Sequence, residues 1–223
     1  MTRWNLDPIV LAALLLGCLL AWRLDGVRRV TVSTALAVLM LIFVSPLCAL
    51  SSSLFAARTA HHLLLIAVAA PLLAWSLPAP RGRPSLVVAA AVQMAVLWLW
   101  HAPSAYGWAL SNDFAYWLMQ FSLLGSAVMF WHALRSVAAP AAVAGLLGTM
   151  LQMGLLGALL TFAGQAIYAP HLTTTAAWGL TPLQDQQVAG LIMWAPGSAF
   201  YLLAALWMLG RWLGEDDAVA TAR

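Results

Sequence analysis

Seven apolar runs separated by short polar breaks constrain this chain more than any other feature. They extend roughly over Pro8 to Trp22, Val30 to Leu50, His61 to Leu77, Leu86 to His101, Phe114 to Leu134, Ala141 to Phe162 and Pro182 to Leu213. A helix that crosses a bilayer needs about 20 mostly apolar residues, fewer where flanking groups snorkel or the helix opens on an aqueous cavity. The first and fourth runs are the shortest. A backbone in lipid must satisfy its own hydrogen bonds, which an α-helix does within one segment. The chain is therefore read as an all-α polytopic membrane protein, a bundle of about seven transmembrane helices with residues 1–223 forming one transmembrane domain. With 64% hydrophobic and 8% charged residues it does not have the composition of a soluble domain.

The connections are short: Arg23 to Arg29, Ser51 to Ala60, Pro78 to Ser85, Ala102 to Asp113 and Arg135 to Pro140. Only Ala163 to Thr181, with Tyr168, Pro170, His171 and Trp178, is long enough for a structured loop. Short connections predict sequence-adjacent antiparallel helices in an up-and-down bundle. Arg23, Arg28, Arg29, Arg81, Arg83, Arg135, Arg211 and Arg223 fall on one side, and only Arg3 and Arg58 on the other. By the positive-inside rule the first side is cytoplasmic. The expectation is a bacterial inner (plasma) membrane protein with its N-terminus outside and the Glu215-Asp216-Asp217 tail inside.

The basic pI of about 9.3 reflects that orientation, and no nucleic-acid partner is expected; membrane lipid is. Cys18 and Cys48 lie in different apolar runs without a C-x-x-C, so they read as buried inert thiols. No cleaved leader is expected.

The orientation gathers Arg58, His61, His62, His101, Asp113, His171 and Asp185 at the external helix ends, leaving His132 beside Arg135 at the other. His61 and His62 are helix neighbours whose side chains diverge by about 100°, so they face different partners. Arg58 lies one turn before His62 and disfavours a second positive charge there. Trp100-His101-Ala102-Pro103 ends the fourth run, with Pro103 freeing carbonyls near His101. Each histidine can be a ligand, or an interfacial anchor or helix cap. Metal binding is the sharpest reading, since imidazole suits copper, zinc and iron, and methionine sulfur suits Cu(I). There is no phosphate loop, nucleophile elbow or H-E-x-x-H helix, and no enzyme activity is expected. Thr181, Pro182 and Gln184 form a capping box that opens the last helix and places Asp185 in its first turn, where a carboxylate suits the dipole.

His61-His62-Leu63-Leu64-Leu65 with Pro71 downstream, Trp100-His101-Ala102-Pro103, Phe130-Trp131, Tyr168, and Gly179 to Trp194 with its Asp185-Gln186-Gln187 and Met193-Trp194 together resemble the multi-spanning CtaG family of bacterial cytochrome c oxidase assembly factors. The resemblance extends from about Ser45 to Leu206. It implies a seven-helix protein that helps produce active haem-copper oxidase by assisting copper delivery at the external face, with oxidase subunits or a copper chaperone as partners. His62, His101 and Asp185 match residues that the family usually carries. Arg58 stands where the family tends to have a histidine, and Tyr116, Met119 and Gln120 where it tends to have His and Glu-His. The implied site is therefore His62 and His101, with His61, as copper ligands; Met119 and Gln120 are neighbours and Asp185 an orienting group. The alternative is a structural or accessory subunit that binds no metal and docks an oxidase or other membrane partner, with Asp185 and Arg58 paired to each other.

Overall fold

The computed structural model describes residues 3–79 and 85–221. Arg81, Arg83 and Arg223, three of the arginines counted for one face, lie outside the described residues, as do the side chains of Glu215, Asp216 and Asp217. The helices are α1 (Pro8–Trp22), α2 (Gly26–Val44), α3 (Pro46–Ser53), α4 (Phe55–Ser76), α5 (Leu86–His101), α6 (Pro103–Ala109), α7 (Asp113–Leu134), α8 (Ala139–Thr161) and α9 (Pro182–Gly214). Each of the seven apolar runs becomes helix. By length and composition α2, α4, α7, α8 and α9 suffice to cross a membrane; α5 and α6 reach that length only together, across a 79° bend, as a broken span or a re-entrant pair, and α1 is shorter.

Three limits differ from the sequence reading, each for a local reason. The second run breaks at Ser45, which is extended and caps α3 by accepting a hydrogen bond from Leu47 N; Pro46 suits the first position of that new helix. The third span begins at Phe55 rather than His61, so Arg58 sits inside α4 rather than in a connection. Ala102 to Asp113 is largely helical, because Pro103 ends α5 and opens α6.

Sequence neighbours pack together at the two ends of the chain, α1 on α2 and α8 on α9. The middle is rearranged: α4 packs against α2, α7 and α9, and α5 packs chiefly against α7. Half of α4 is buried, the largest share of any span. The α8–α9 seam depends on glycines, since a Cβ on Gly190 would stand 2.5 Å from Gly157 O and 2.6 Å from Thr161 N.

Two prolines lie inside spans and each is answered locally. Pro71 has no N–H to give to the preceding turn, and Leu64–Ala69 before it is a π turn. The Ile66 carbonyl accepts instead from Trp131 Nε1 at 3.0 Å. Pro196 lies within a second π turn, Met193–Gly197.

The arginine-bearing helix ends share one end of the bundle. Arg28 donates to Ser76 O at 3.0 Å, and Arg135 to Ala74 O and Leu77 O at 2.6 and 3.0 Å. The opposite end is closed by Asn5, which donates to Val44 O and Phe43 O, by α6, and by the loop over 162–181.

Candidate functional site

The site begins with the start of α4. Leu54, the residue before it, has no side-chain acceptor for the first amides of that helix. Asp185 supplies one from the first turn of α9: it accepts from Phe55 N at 2.7 Å and Ala56 N at 3.0 Å and is completely buried. One carboxylate thus faces the positive ends of two helix dipoles. It holds in place the helix that carries Arg58, His61 and His62. Asp185 makes these bonds to amides rather than to an imidazole or to Arg58.

The two adjacent histidines do face apart. His61 meets the edge of Phe43 with ring centroids 5.0 Å apart, and Gln120 Nε2 donates to its Nε2 at 3.3 Å. His62 points the other way, toward His101, with centroids 6.5 Å apart. The His101 ring is oriented by Leu97: a carbonyl can only accept, so the 2.7 Å contact makes Nδ1 the protonated nitrogen and leaves Nε2 with its lone pair. His62 Nε2 is buried and has no hydrogen-bond partner. On α4 and the facing α7, Thr59 Oγ1, His61 Nδ1, Gln120 Oε1 and Arg58 Nη1 are also buried without partners. Such a concentration of unmatched polar atoms is unusual in a folded interior, where most buried polar groups are paired.

The donors that could hold a metal ion here are two imidazoles, His62 and His101, whose ring centroids lie 6.5 Å apart. An ion about 2 Å from one nitrogen of each of two opposed imidazoles would hold their centroids roughly 6 Å apart. Among the described residues, no group of three or more His, Cys, Asp or Glu side chains is placed to hold a metal ion. Met119 is fully buried in the hydrophobic core beside Gln120. Arg58 Nε donates to Ser51 O at 3.0 Å, and its guanidinium lies over the Tyr116 ring at 5.2 Å.

The long loop closes over this end of the bundle. Tyr168 donates to His101 O at 2.8 Å, taking the carbonyl that the chain turn at Pro103 leaves free. His171 Nδ1 donates to Ser53 O at 3.3 Å, so its Nε2 accepts from the Tyr106 hydroxyl at 2.7 Å. Thr174 donates to the same Ser53 carbonyl at 2.6 Å, and Gln186 accepts from Ile167 N at 2.9 Å. Burial pushes the His171 imidazole below its ordinary pKa, against the raising effects of the Ser53 carbonyl and Asp185 and with Arg58 adding to the depression. Burial pushes the Tyr168 phenol up. Tyr106 and Phe55 were not singled out by sequence reasoning, yet the Phe55 ring packs 4.0 Å from Tyr168 and 6.3 Å from His101.

A family model described as cytochrome c oxidase caa3 assembly factor (Caa3_CtaG) matches residues 22–215. The chain belongs to the Caa3_CtaG family. The match takes in α2 to α9 and every site residue named above, so this buried polar group lies inside the part of the fold that defines the family. Comparison with curated proteins and with solved structures gives no match.

Proposed function

We propose that this chain is a non-catalytic factor that holds copper as cargo between His62 and His101 and passes it on during assembly of a haem-copper oxidase. The family role supports oxidase assembly. The observation that carries the copper reading is the buried, unpartnered His62 Nε2 on a ring whose centroid lies 6.5 Å from that of His101, an imidazole with one nitrogen bonded to Leu97 O. His61 is the adjacent imidazole, bonded to Gln120, with Met119 one residue before that amide in α7. Asp185 positions the pair through the helix start. The arginine count supports an orientation with this end outside the plasma membrane of a bacterium, the N-terminus external and the C-terminus cytoplasmic. That is the side from which a copper chaperone would load it and an oxidase subunit would receive from it.

The test is retention of copper. Purified protein is loaded with Cu(I), desalted and assayed for metal. Wild type is expected to keep copper that the His62→Ala, His101→Ala double variant loses, and equal retention would count against the reading.

A docking subunit that binds no metal is the second reading. It is favoured by the mutual engagement of Arg58 with Tyr116 and of Gln120 with His61. It predicts a stable complex with oxidase subunits that survives replacement of all five histidines.

A further inference from the structure

Two cavities beside α7 meet at one pair of rings. The first is an apolar groove of about 380 Å³ between α1, α2 and α7, walled by Val10, Ala13, Leu14, Leu39, Phe121 and Leu124. The second is a polar pocket of about 590 Å³ at the Asp185 end of the bundle, lined by Arg58, Asn5 and Tyr116 together with Asp7 and Asp113, which are exposed. Phe43 and Trp117 line both, with ring centroids 5.5 Å apart. α1 leans mainly on α2, and two of the groove's α1 lining residues, Ile9 and Ala13, are exposed.

Arg58 gives this paired cavity its chemistry. The side chain is 2% exposed, and among the described residues Nη1 has no acceptor. Asp185, the buried carboxylate of this region, accepts from Phe55 and Ala56 instead. A buried guanidinium is costly unless an anion supplies the missing acceptors, and its planar fork matches a phosphate. An apolar trough that runs into a pocket with one such cation and two exposed carboxylates has the polarity of an amine-bearing phospholipid.

We propose that groove and pocket together bind one phosphatidylethanolamine-type lipid. An acyl chain lies between α1 and α7, the phosphate meets Arg58, and the amine faces Asp7 and Asp113. The lipid fills the gap between α1 and the rest of the bundle. This does not depend on the copper reading, because neither His62 nor His101 lines either cavity.

The experiment uses the full-length protein, delipidated in detergent and mixed with dioleoylphosphatidylethanolamine, read by native mass spectrometry and thermal melting. One retained lipid per chain and a raised melting temperature are expected. Arg58→Gln and Ala13→Phe should each cut retention by at least about tenfold, the scale of one charge-assisted hydrogen bond or a blocked cavity. Ala13 is exposed on α1, so Ala13→Phe fills the groove without entering the core and keeps the test sound should Arg58→Gln misfold. Dioleoylglycerol, which has no phosphate, should not be retained, and inorganic phosphate should not raise the melting temperature. Equal retention of dioleoylglycerol overturns the role of Arg58, and stabilisation by phosphate alone makes this an ion site instead of a lipid site. Undiminished retention in Ala13→Phe removes the groove from the account. Equal retention of phosphatidylglycerol overturns the pairing of the amine with Asp7 and Asp113.

Discussion

Replacing Asp185 with alanine leaves two buried amides, those of Phe55 and Ala56, without the acceptor that now stands 2.7 and 3.0 Å away. Hydrogen bonds to a charged group contribute about 1.5–3 kcal/mol each, and loss of an ordinary N-cap costs about 0.5–2 kcal/mol. Two bonds to one fully buried carboxylate therefore place Asp185→Ala at about 3–5 kcal/mol. For a chain of this size each kcal/mol shifts the melting temperature by roughly 2–4 °C, which gives a drop of roughly 6–20 °C. Asp185→Asn keeps an oxygen acceptor and loses the charge, and about half that drop is expected. The assay is thermal unfolding of the detergent-solubilised protein, followed by the fluorescence of its 12 tryptophans. A shift below about 2 °C for Asp185→Ala would refute the capping argument. So would an Asp185→Asn protein that melts normally and yet fails to retain copper, because then the carboxylate acts on an imidazole and not on the helix start.

Two other perturbations follow from the packing. Gly190→Ala places a Cβ against Gly157 O and the Thr161 backbone and should cost at least about 1–3 kcal/mol, whereas Gly148→Ala, with nothing within 4 Å, should be neutral or stabilise by about 0.5–1 kcal/mol; both are read from melting temperatures. His171, bonded to Tyr106 and Ser53 and facing the charges of Asp185 and Arg58, is kept neutral by burial. Its unfolded form takes up a proton first as pH falls, so its share of stability is complete above its ordinary value of 6.5 and declines below it. The melting temperature of wild type should therefore fall more between pH 7.5 and 5.5 (about one unit on either side of an unperturbed histidine) than that of His171→Asn, and parallel falls would contradict the loop-latch geometry.

The helices were readable because hydropathy over 20 residues depends on local composition alone. Ala102-Pro103 also announced a break, although the seven-residue α6 after Pro103 was too short to register as helix, whereas the break at Ser45-Pro46 lay unmarked inside the second apolar run. The start of α4 was not readable: Arg58 interrupts the apolar run, and what allows a helix to begin at Phe55 is a carboxylate 130 residues away. The capping box correctly put Asp185 in the first turn of α9, but no window of sequence contains the second helix that it caps. His62 and His101 stand out in the sequence by residue type and the Pro103 context, but that their rings lie 6.5 Å apart depends on the packing of α4 and α5. Tyr106 and Phe55 were missed because an aromatic residue in an apolar chain is unremarkable until its neighbours in space are known.

The most direct test of copper handling is made on the oxidase itself. Cells lacking this protein are complemented with wild type or with His62→Ala, His101→Ala protein shown to be present in the membrane at equal level, and the copper content and activity of the purified terminal oxidase are measured. The account predicts that wild type restores a copper-replete, active enzyme, whereas the double variant leaves oxidase subunits present but depleted in copper. Full copper content and activity with the double variant would contradict it.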